Sequence, residues 1–469
     1  MTIRPGPFLA AAVLAAAGAS PVLPVLPAAA VTAALAGPAG APGMWSAPVT
    51  VSRPATFLDA PFVGFGWSGR GLLAWGFQNG LATGGHSGSR AAPRGLDGVF
   101  GPDLPVPGVG GPPVLYARDR AALLTESDAG GRRRVGIAFG TTSGRFASPT
   151  TIAAFAPARG APALAGNARG QLAVAYVQSL TGGRRSVTLV ERPAGGRFGR
   201  PGIVAGRGQA NAATVAVGPG GGLVVAWERD GQVFARVRPA GGRLGPIVTL
   251  GPAVRGQTTV RAAIGSGGAV WVAWSSQLLT EGGDNGPFEV RVAVRAARRA
   301  AFGRALRLDS YARRASIEDV GVQLGLDSAG AGYLAWTGFD GANFRARLAA
   351  LDAAGGSPRV TTLSGAGYDA VLGALATGPR PGTALGVWSR LDPVGELGTQ
   401  ILAGLVTPAG YAGEETVSDA DRARLPAAAF DPVGGEPTVA WTQRVGPDGP
   451  GVPIGQIRTV VRVATREAG

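Results

Sequence analysis

Gly222-Leu223-Val224-Val225-Ala226-Trp227 is a glycine turn followed by an apolar run that closes on an aromatic ring, and the same order of residues recurs along the chain. It returns as Gly71-Leu72-Leu73-Ala74-Trp75, Leu172-Ala173-Val174-Ala175-Tyr176, Val270-Trp271-Val272-Ala273-Trp274, Tyr333-Leu334-Ala335-Trp336, Leu385-Gly386-Val387-Trp388 and Thr438-Val439-Ala440-Trp441. In chain order the aromatic ends lie 101, 51, 47, 62, 52 and 53 residues apart. The first interval is two units long. Its middle holds Arg120-Ala121-Ala122-Leu123-Leu124-Thr125, which follows Val114-Leu115-Tyr116 as the other runs follow their own upstream strand. Counting this degenerate copy divides the interval into 50 and 51 residues and gives eight units; leaving it out gives seven. Repetition at such a period is the signature of an array whose units bury their apolar faces against one another.

Outward from Trp227 the unit divides into four strands. Val215-Ala216-Val217 is the first, residues 223–227 the second, the alternating Val233-Phe234-Ala235-Arg236-Val237-Arg238 the third, and residues 244–250 the fourth. A glycine-rich turn joins third to fourth, as in Gly144-Arg145-Phe146, Gly195-Gly196-Arg197-Phe198-Gly199 and Gly241-Gly242-Arg243-Leu244-Gly245. Four strands in about fifty residues, repeated this often, predict an all-β chain folded as an eight-bladed β-propeller. The two ends complement each other. Trp45-Ser46-Ala47-Pro48-Val49-Thr50-Val51 resembles a fourth strand without a blade, and the last unit stops after a third strand, Arg458-Thr459-Val460-Val461-Arg462-Val463. Joined, they complete the last blade and hide its edge. Residues 44–466 are therefore expected to form one domain. Six of the nine tryptophans are the repeat anchors, at 75, 227, 274, 336, 388 and 441, and their periodic placement predicts packing between blades.

Composition agrees with many short strands. The 469 residues include 79 Gly and 37 Pro, yet 45% are hydrophobic, enough for a core with the Gly and Pro placed in turns. At the N-terminus Arg4 precedes an apolar stretch over residues 8–19, then Pro21, Pro24 and Pro27. Twelve apolar residues are too few to span a bilayer, so residues 1–36 read as a secretory signal and 37–43 as a short linker. The absence of cysteine excludes disulfides, thiolate metal sites and a lipid-modified N-terminal cysteine. No apolar tail closes the chain. The expectation is a secreted, extracellular monomer with no transmembrane segment in its mature form.

Catalytic patterns are sparse. His86, in Gly84-Gly85-His86-Ser87-Gly88, is the only histidine and is expected in a flexible loop, a poor place for a triad base. There is no His-Glu-x-x-His motif, no phosphate-binding Gly-Lys-Ser loop, no GxSxG elbow and no lysine. Paired carboxylates suited to glycoside hydrolysis occur at Glu318-Asp319, Asp369, Glu414-Glu415 and Asp419 with Asp421, where surface turns explain them equally well. The oxygen-rich Glu281-Gly282-Gly283-Asp284-Asn285 lacks the order of a calcium loop and reads as solvated. No catalytic residue, metal or cofactor is assigned.

Charge is the stronger signal. All 44 basic residues are arginine and the formal net charge is +15, which makes an acidic polysaccharide or anionic envelope polymer the candidate partner. No RNP-like aromatic and basic motif points to specific nucleic-acid binding. Strand alternation places the second-to-third links on one face with the links between blades, and the third-to-fourth turns on the other. The variable second-to-third links carry Gln78, Asn79, Glu228, Asp230, Glu281, Asp284, Asn285, Asp340, Asp392 and Glu396, the candidate ligand-binding set. The short third-to-fourth turns carry Arg145, Arg197 and Arg243, a candidate rim for anionic surfaces.

The strand pattern and glycine-rich turns resemble the secreted bacterial propellers related to the sialidase and BNR-repeat superfamily. The Ser-x-Asp-x-Gly-x-x-Trp box of true BNR repeats is absent; Asp327-Ser328-Ala329-Gly330 and Asp431-Pro432-Val433-Gly434 stand in its place without its Ser and Trp. The resemblance implies fold and secretion and carries no activity over. The function expected is a non-enzymatic binding scaffold; the alternative is a carbohydrate-active enzyme, a sialidase-like hydrolase or a polysaccharide lyase.

Overall fold

The computed structural model describes residues 44–79, 86–107, 113–129, 131–156, 160–208, 210–254, 256–279, 285–311, 321–391, 400–418, 422–446 and 458–467. The signal and linker assigned to residues 1–43 lie outside them, as do Glu281, Asp284, Glu318, Asp319, Asp392, Glu396, Asp419 and Asp421.

Eight antiparallel sheets follow one another; in the first seven the chain leaves at the outermost strand, and the eighth takes its outermost strand from the N-terminal side. Blade 4 runs Ala210–Val217, Leu223–Arg229, Gln232–Arg238 and Val248–Pro252, so its first strand starts earlier, and its last starts later, than the sequence suggested. Blade 1 comprises Phe62–Phe65, Gly71–Asn79, His86–Arg94 and Leu104–Val106, with Phe57–Leu58 as an additional partner of its second strand. Blade 2 comprises Val114–Tyr116, Arg120–Ala129, Arg132–Thr141 and Thr150–Phe155. Blade 3 begins at Ala163–Gly166, and blades 5, 6 and 7 at Gln257–Ile264, Gln323–Leu326 and Asp369–Thr377. The architecture is an eight-bladed β-propeller, so the degenerate copy around Arg120 is a true blade and the count of seven falls. His86 does not lie in a loop: it opens the third strand of blade 1 opposite Asn79, and its side chain is outside the description.

The unbroken apolar runs have a simple cause. Successive side chains of a strand point to opposite faces, and here both faces are covered by neighbouring blades. Leu223, Val225 and Trp227 join the core between blades 3 and 4, while Val224 and Ala226 join the core between blades 4 and 5. Each anchor ring faces the preceding blade: Tyr176 blade 2, Trp274 blade 4, Trp336 blade 5, Trp388 blade 6, Trp441 blade 7, and Trp75 blade 8 across the ring junction. All the tryptophan anchors are buried. Blade 2 breaks the rule, because Thr125 stands at its anchor position. The seam between blades 1 and 2 is correspondingly thin, built on Leu72, Ala91, Val106, Ala121, Leu123 and Ala138 with no anchor ring.

The last blade is completed from the N-terminal side. Ala423–Phe430, Pro437–Val445 and Arg458–Thr465 form three strands, and Val49–Thr50 adds the fourth, with Val49 opposite Val463 and Thr50 opposite Arg462. The ladder is short, but its flanks extend it. Ser46 N–H donates to Thr465 O (2.9 Å), Val51 N–H to Val461 O (2.9 Å), and Val461 N–H to the buried Ser52 Oγ (2.7 Å). Glu415 on blade 7 receives Trp45 Nε1–H (2.8 Å) and both arms of Arg466 (3.0 Å each), clasping the two ends of the domain to one carboxylate.

Candidate functional site

The antiparallel order brings the first-to-second and third-to-fourth turns to one face of the ring and the second-to-third links to the other. In seven blades the first-to-second turn carries a glycine in the left-handed region: Gly69, Gly170, Gly221, Gly268, Gly330, Gly382 and Gly435, with φ between 79° and 91°. Asn167, Asp327 and Asp431 open three of these turns and tie them to the next blade. Asn167 Nδ2–H donates to Gly218 O (2.9 Å), Asp327 Oδ2 accepts from Gly382 N–H (2.8 Å), and Asp431 faces Arg94 Nη1 (3.4 Å). The two Asp-led segments noted in the sequence are thus parts of an inter-blade girdle at the innermost turns.

Blade 2 departs from this pattern. Its turn is shortened to Ala117-Arg118-Asp119, and Ala117 (φ 40°) and Arg118 (φ 43°) occupy the left-handed region without being glycine. Such backbone is disfavoured for side chains with a Cβ and persists only where surrounding contacts hold it. Here Ala117 N–H donates to Asn167 O (3.3 Å), Thr142 N–H to Asp119 O (2.9 Å), and Ser68 N–H to Asp119 Oδ1 (3.1 Å). Asp119 lies so close to Gly66 that a Cβ there would collide with it.

A groove of about 690 Å³ opens over this turn, spanning blades 1 to 3. Arg70, Arg118 and Arg120 line it, together with Thr141, Thr142 and Ser143. The three guanidinium-bearing residues are exposed, and Asp119 is the one carboxylate in the lining. The hydroxyls are already oriented: Thr141 Oγ1 and Ser143 Oγ lie 2.7 Å apart, and Ser143 N–H donates to Thr141 Oγ1 (3.2 Å). Behind the groove burial raises the Tyr116 phenol, against the opposing pull of Arg192 and Arg120. A smaller cleft of about 290 Å³ follows between blades 3 and 4, lined by Arg192 and by the paired Arg238 and Glu191.

Arg145, Arg197 and Arg243 stand exposed on the third-to-fourth turns of blades 2, 3 and 4, outside the two clefts, and Arg169 lies exposed on the innermost turn of blade 3. Arg298, Arg299 and Arg304 continue the series on blade 5. None of these is in an ion pair among the described residues. Arginine is not confined to this face. Arg132, Arg133, Arg184 and Arg229 lie at the opposite end of their blades, and ion pairs occur on both faces. On the opposite face Arg133 meets Glu126 (3.4 Å), Arg229 approaches Asp230 (4.0 Å) and Arg345 approaches Asp340 (3.5 Å).

The described members of the candidate ligand-binding set are spread over several blades of that opposite face. Gln78 and Asn79 are on blade 1, Glu228 and Asp230 on blade 4, and Asp340 on blade 6; Asn285 opens the third strand of blade 5 and its side chain is outside the description. Internal bonds occupy several of them. Asn79 Oδ1 accepts from Thr56 N–H (3.3 Å), and the buried Glu228 accepts from Asn211 Nδ2–H (2.9 Å) and Gly231 N–H (2.8 Å). Asp340 accepts from Asn343 and Ala342 N–H (2.8 and 2.9 Å), which holds its carboxyl below the usual range.

The described candidate catalytic carboxylates are engaged in the same way. Asp369 accepts from Phe344 N–H (2.7 Å), Glu415 clasps the closing strand, and Glu414 accepts from Gly365 N–H (2.7 Å) and the Tyr368 hydroxyl. That Tyr and Glu pair, with Arg390 over the Tyr368 ring at 4.8 Å, superficially has the chemistry of a glycosidase pair. Tyr368 is nevertheless only 8% exposed, and burial pushes its phenol up to about 12. It works as a latch on the link from blade 6 to blade 7. Burial also raises Asp59, and it raises Glu126 against the pull of Arg133. No group of three or more metal-ligating side chains occurs among the described residues.

Arg70, Arg118, Arg120 and Arg169 were not singled out by the sequence. The available signal was the irregular second copy, where a repeat without its ring and its glycine turn marks the sector that differs from the others.

No protein-family model matches the chain, and no curated protein matches it. Among solved structures it is similar to puromycin hydrolase, at 16% identity over 88% of this chain and 62% of that one, with a TM-score of 0.43. The chain thus spans less than two thirds of that enzyme. It is also similar to a polysaccharide lyase, an ulvan lyase of family PL25, at 12% identity over 71% of this chain and 90% of that one (TM-score 0.41). A third is the sialidase NanB of Streptococcus pneumoniae, at 10% identity over 91% of this chain and 71% of that one (TM-score 0.34). Likenesses of this degree assign no activity to the chain.

Proposed function

We propose that the chain is an exported, non-enzymatic binding propeller whose groove over blades 1 to 3 and arginine rim hold a linear anionic polymer, an acidic glycopolymer of the cell exterior being the class that suits export. The observation that carries this reading is the run of exposed arginines from Arg70 through Arg118, Arg145 and Arg197 to Arg243 without carboxylate partners among the described residues. Planar guanidinium groups pair carboxylate and sulfate through two parallel N–H donors, and the groove hydroxyls add neutral donors. A polymer laid along the arc would meet one cation after another, each partly screened by salt at the surface. Among the described candidate carboxylates, Asp369, Glu414 and Glu415 are bound internally, which supports the binding reading.

The test is binding to dextran sulfate and to polygalacturonate across a salt series, for the natural chain and for Arg70→Glu, Arg118→Glu, Arg120→Glu combined. The expected result is binding that weakens steeply with salt and falls at least tenfold in the variant, while polymer length stays unchanged on long incubation. Equal binding by the variant would refute the groove, and depolymerisation would favour the enzymatic alternative.

A further inference from the structure

Beside the groove the same face carries exposed aliphatic side chains that polymer binding leaves without a role. Apart from Met44, the most exposed large apolar residues among the described ones are Val433 (69%), Leu96 (65%) and Val99 (63%). They sit on neighbouring turns at the junction of blades 8 and 1. Val433 is in the innermost turn of blade 8, where its Cγ2 lies 3.5 Å from the position a Cβ on Gly69 of blade 1 would take. Leu96 and Val99 are on the third-to-fourth turn of blade 1, shaped by Asp97 Oδ1 accepting from Val99 N–H (3.1 Å). Arg94, which lies against that turn at Gly98, reaches Asp431 of the Val433 turn at 3.4 Å. The two turns are therefore joined, and Arg70, next to Gly69, connects them to the groove.

We infer that this face seats on an anionic lipid bilayer, with Leu96, Val99 and Val433 entering the headgroup layer and Arg70, Arg118 and Arg120 pairing with lipid anions. The inference rests on the reading of the groove as an anion site. Solvent-facing aliphatic clusters on a folded surface mark interaction sites, and apolar tips beside cations are the pattern that an anionic membrane surface matches. Charge complementarity selects this occupant over a second copy of the chain: a two-fold contact through this face would set arginine against arginine.

The experiment is sedimentation of the full chain with vesicles of phosphatidylcholine and phosphatidylglycerol at 70:30, and with phosphatidylcholine alone, beside dextran sulfate binding. A combined Leu96→Ser, Val99→Ser, Val433→Ser variant is compared with the natural chain. Both carry the same N-terminal apolar stretch, so their difference reports the face. The expected result is at least tenfold preference of the natural chain for the anionic vesicles, at least fivefold weaker vesicle binding by the variant, and dextran sulfate binding within twofold. Vesicle binding unchanged in the variant would overturn the inference. Dextran sulfate binding by the natural chain without preference for anionic vesicles would overturn it too, leaving the polymer reading intact, whereas loss of both in the natural chain would remove the groove reading itself. Self-association of the natural chain that the variant abolishes, without vesicle binding, would assign the face to a second copy.

Discussion

Deleting the chain through Ser52 should abolish cooperative folding. The deletion strips the fourth strand from blade 8 and, with it, the bonds of Ser46 and Val51 to Thr465 and Val461, the Ser52 hydroxyl under Val461 N–H, and the bond from Arg462 Nη2 to Pro48 O. It also removes Thr465 N–H to Ser46 Oγ, Glu467 N–H to Met44 O, and the Trp45 arm of the Glu415 clasp. At a net worth of about 1 kcal/mol for an ordinary hydrogen bond, and about 1 to 3 kcal/mol where a buried donor such as Val461 N–H is left unsatisfied, the loss is about 6 to 10 kcal/mol. Burial of Val51 and Trp45 against the flanking cores adds to it. That is comparable to the whole stability of a typical domain, about 5 to 15 kcal/mol. The exposed third strand of blade 8 would also offer an unpaired edge to other chains. Tryptophan fluorescence during heating, with size-exclusion chromatography for aggregation, measures both consequences. A single substitution grades the effect: Ser52→Ala should lower stability by about 1 to 3 kcal/mol through the orphaned Val461 N–H. A truncated chain that stays monomeric and melts within about 2 °C of the natural one would refute the closure argument.

Two further outcomes follow from the core and from the buried phenols. Trp227→Ala or Trp274→Ala should destabilise by about 3 to 5 kcal/mol, read from chemical denaturation, since both rings are fully buried; an unchanged midpoint with lost ligand binding would make them a platform instead. Burial pushes Tyr176, Tyr333 and Tyr368 up to about 12. Above pH 10 the unfolded chain gives up phenol protons that the folded chain retains, so stability should be level through pH 9 and fall between pH 10 and 12. Absorbance of phenolate during alkaline titration checks this, and ionisation of all six tyrosines near pH 10 without unfolding would contradict it.

The sequence by itself determined the repeat, the strand order within a blade and the closing partner of the last one, while the choice of eight blades over seven was decided by the fold of the degenerate copy around Arg120. The reason is that both faces of each second strand are covered, so every residue of a run such as Leu223 to Trp227 must be apolar, and the repeat is written without gaps. Two unmatched strand fragments at opposite ends of the domain have one economical solution, which Val49 opposite Val463 realises. The site was another matter. Glu415 and Trp45 are 370 residues apart in the chain, and nothing in the string of residues says that this carboxylate serves closure while Arg118 is left free to meet solvent. Glu228, Asp340, Asp369 and Glu414 look available as letters and are bound to backbone donors in the fold. The groove combines Arg70, Arg118 and Ser143 from three turns of two blades, and only the packing of one blade on the next, which sets their turns side by side, places them around one opening. Strand patterns follow local burial and are periodic in sequence; pairing of charges depends on which turns become neighbours, and that is decided in three dimensions.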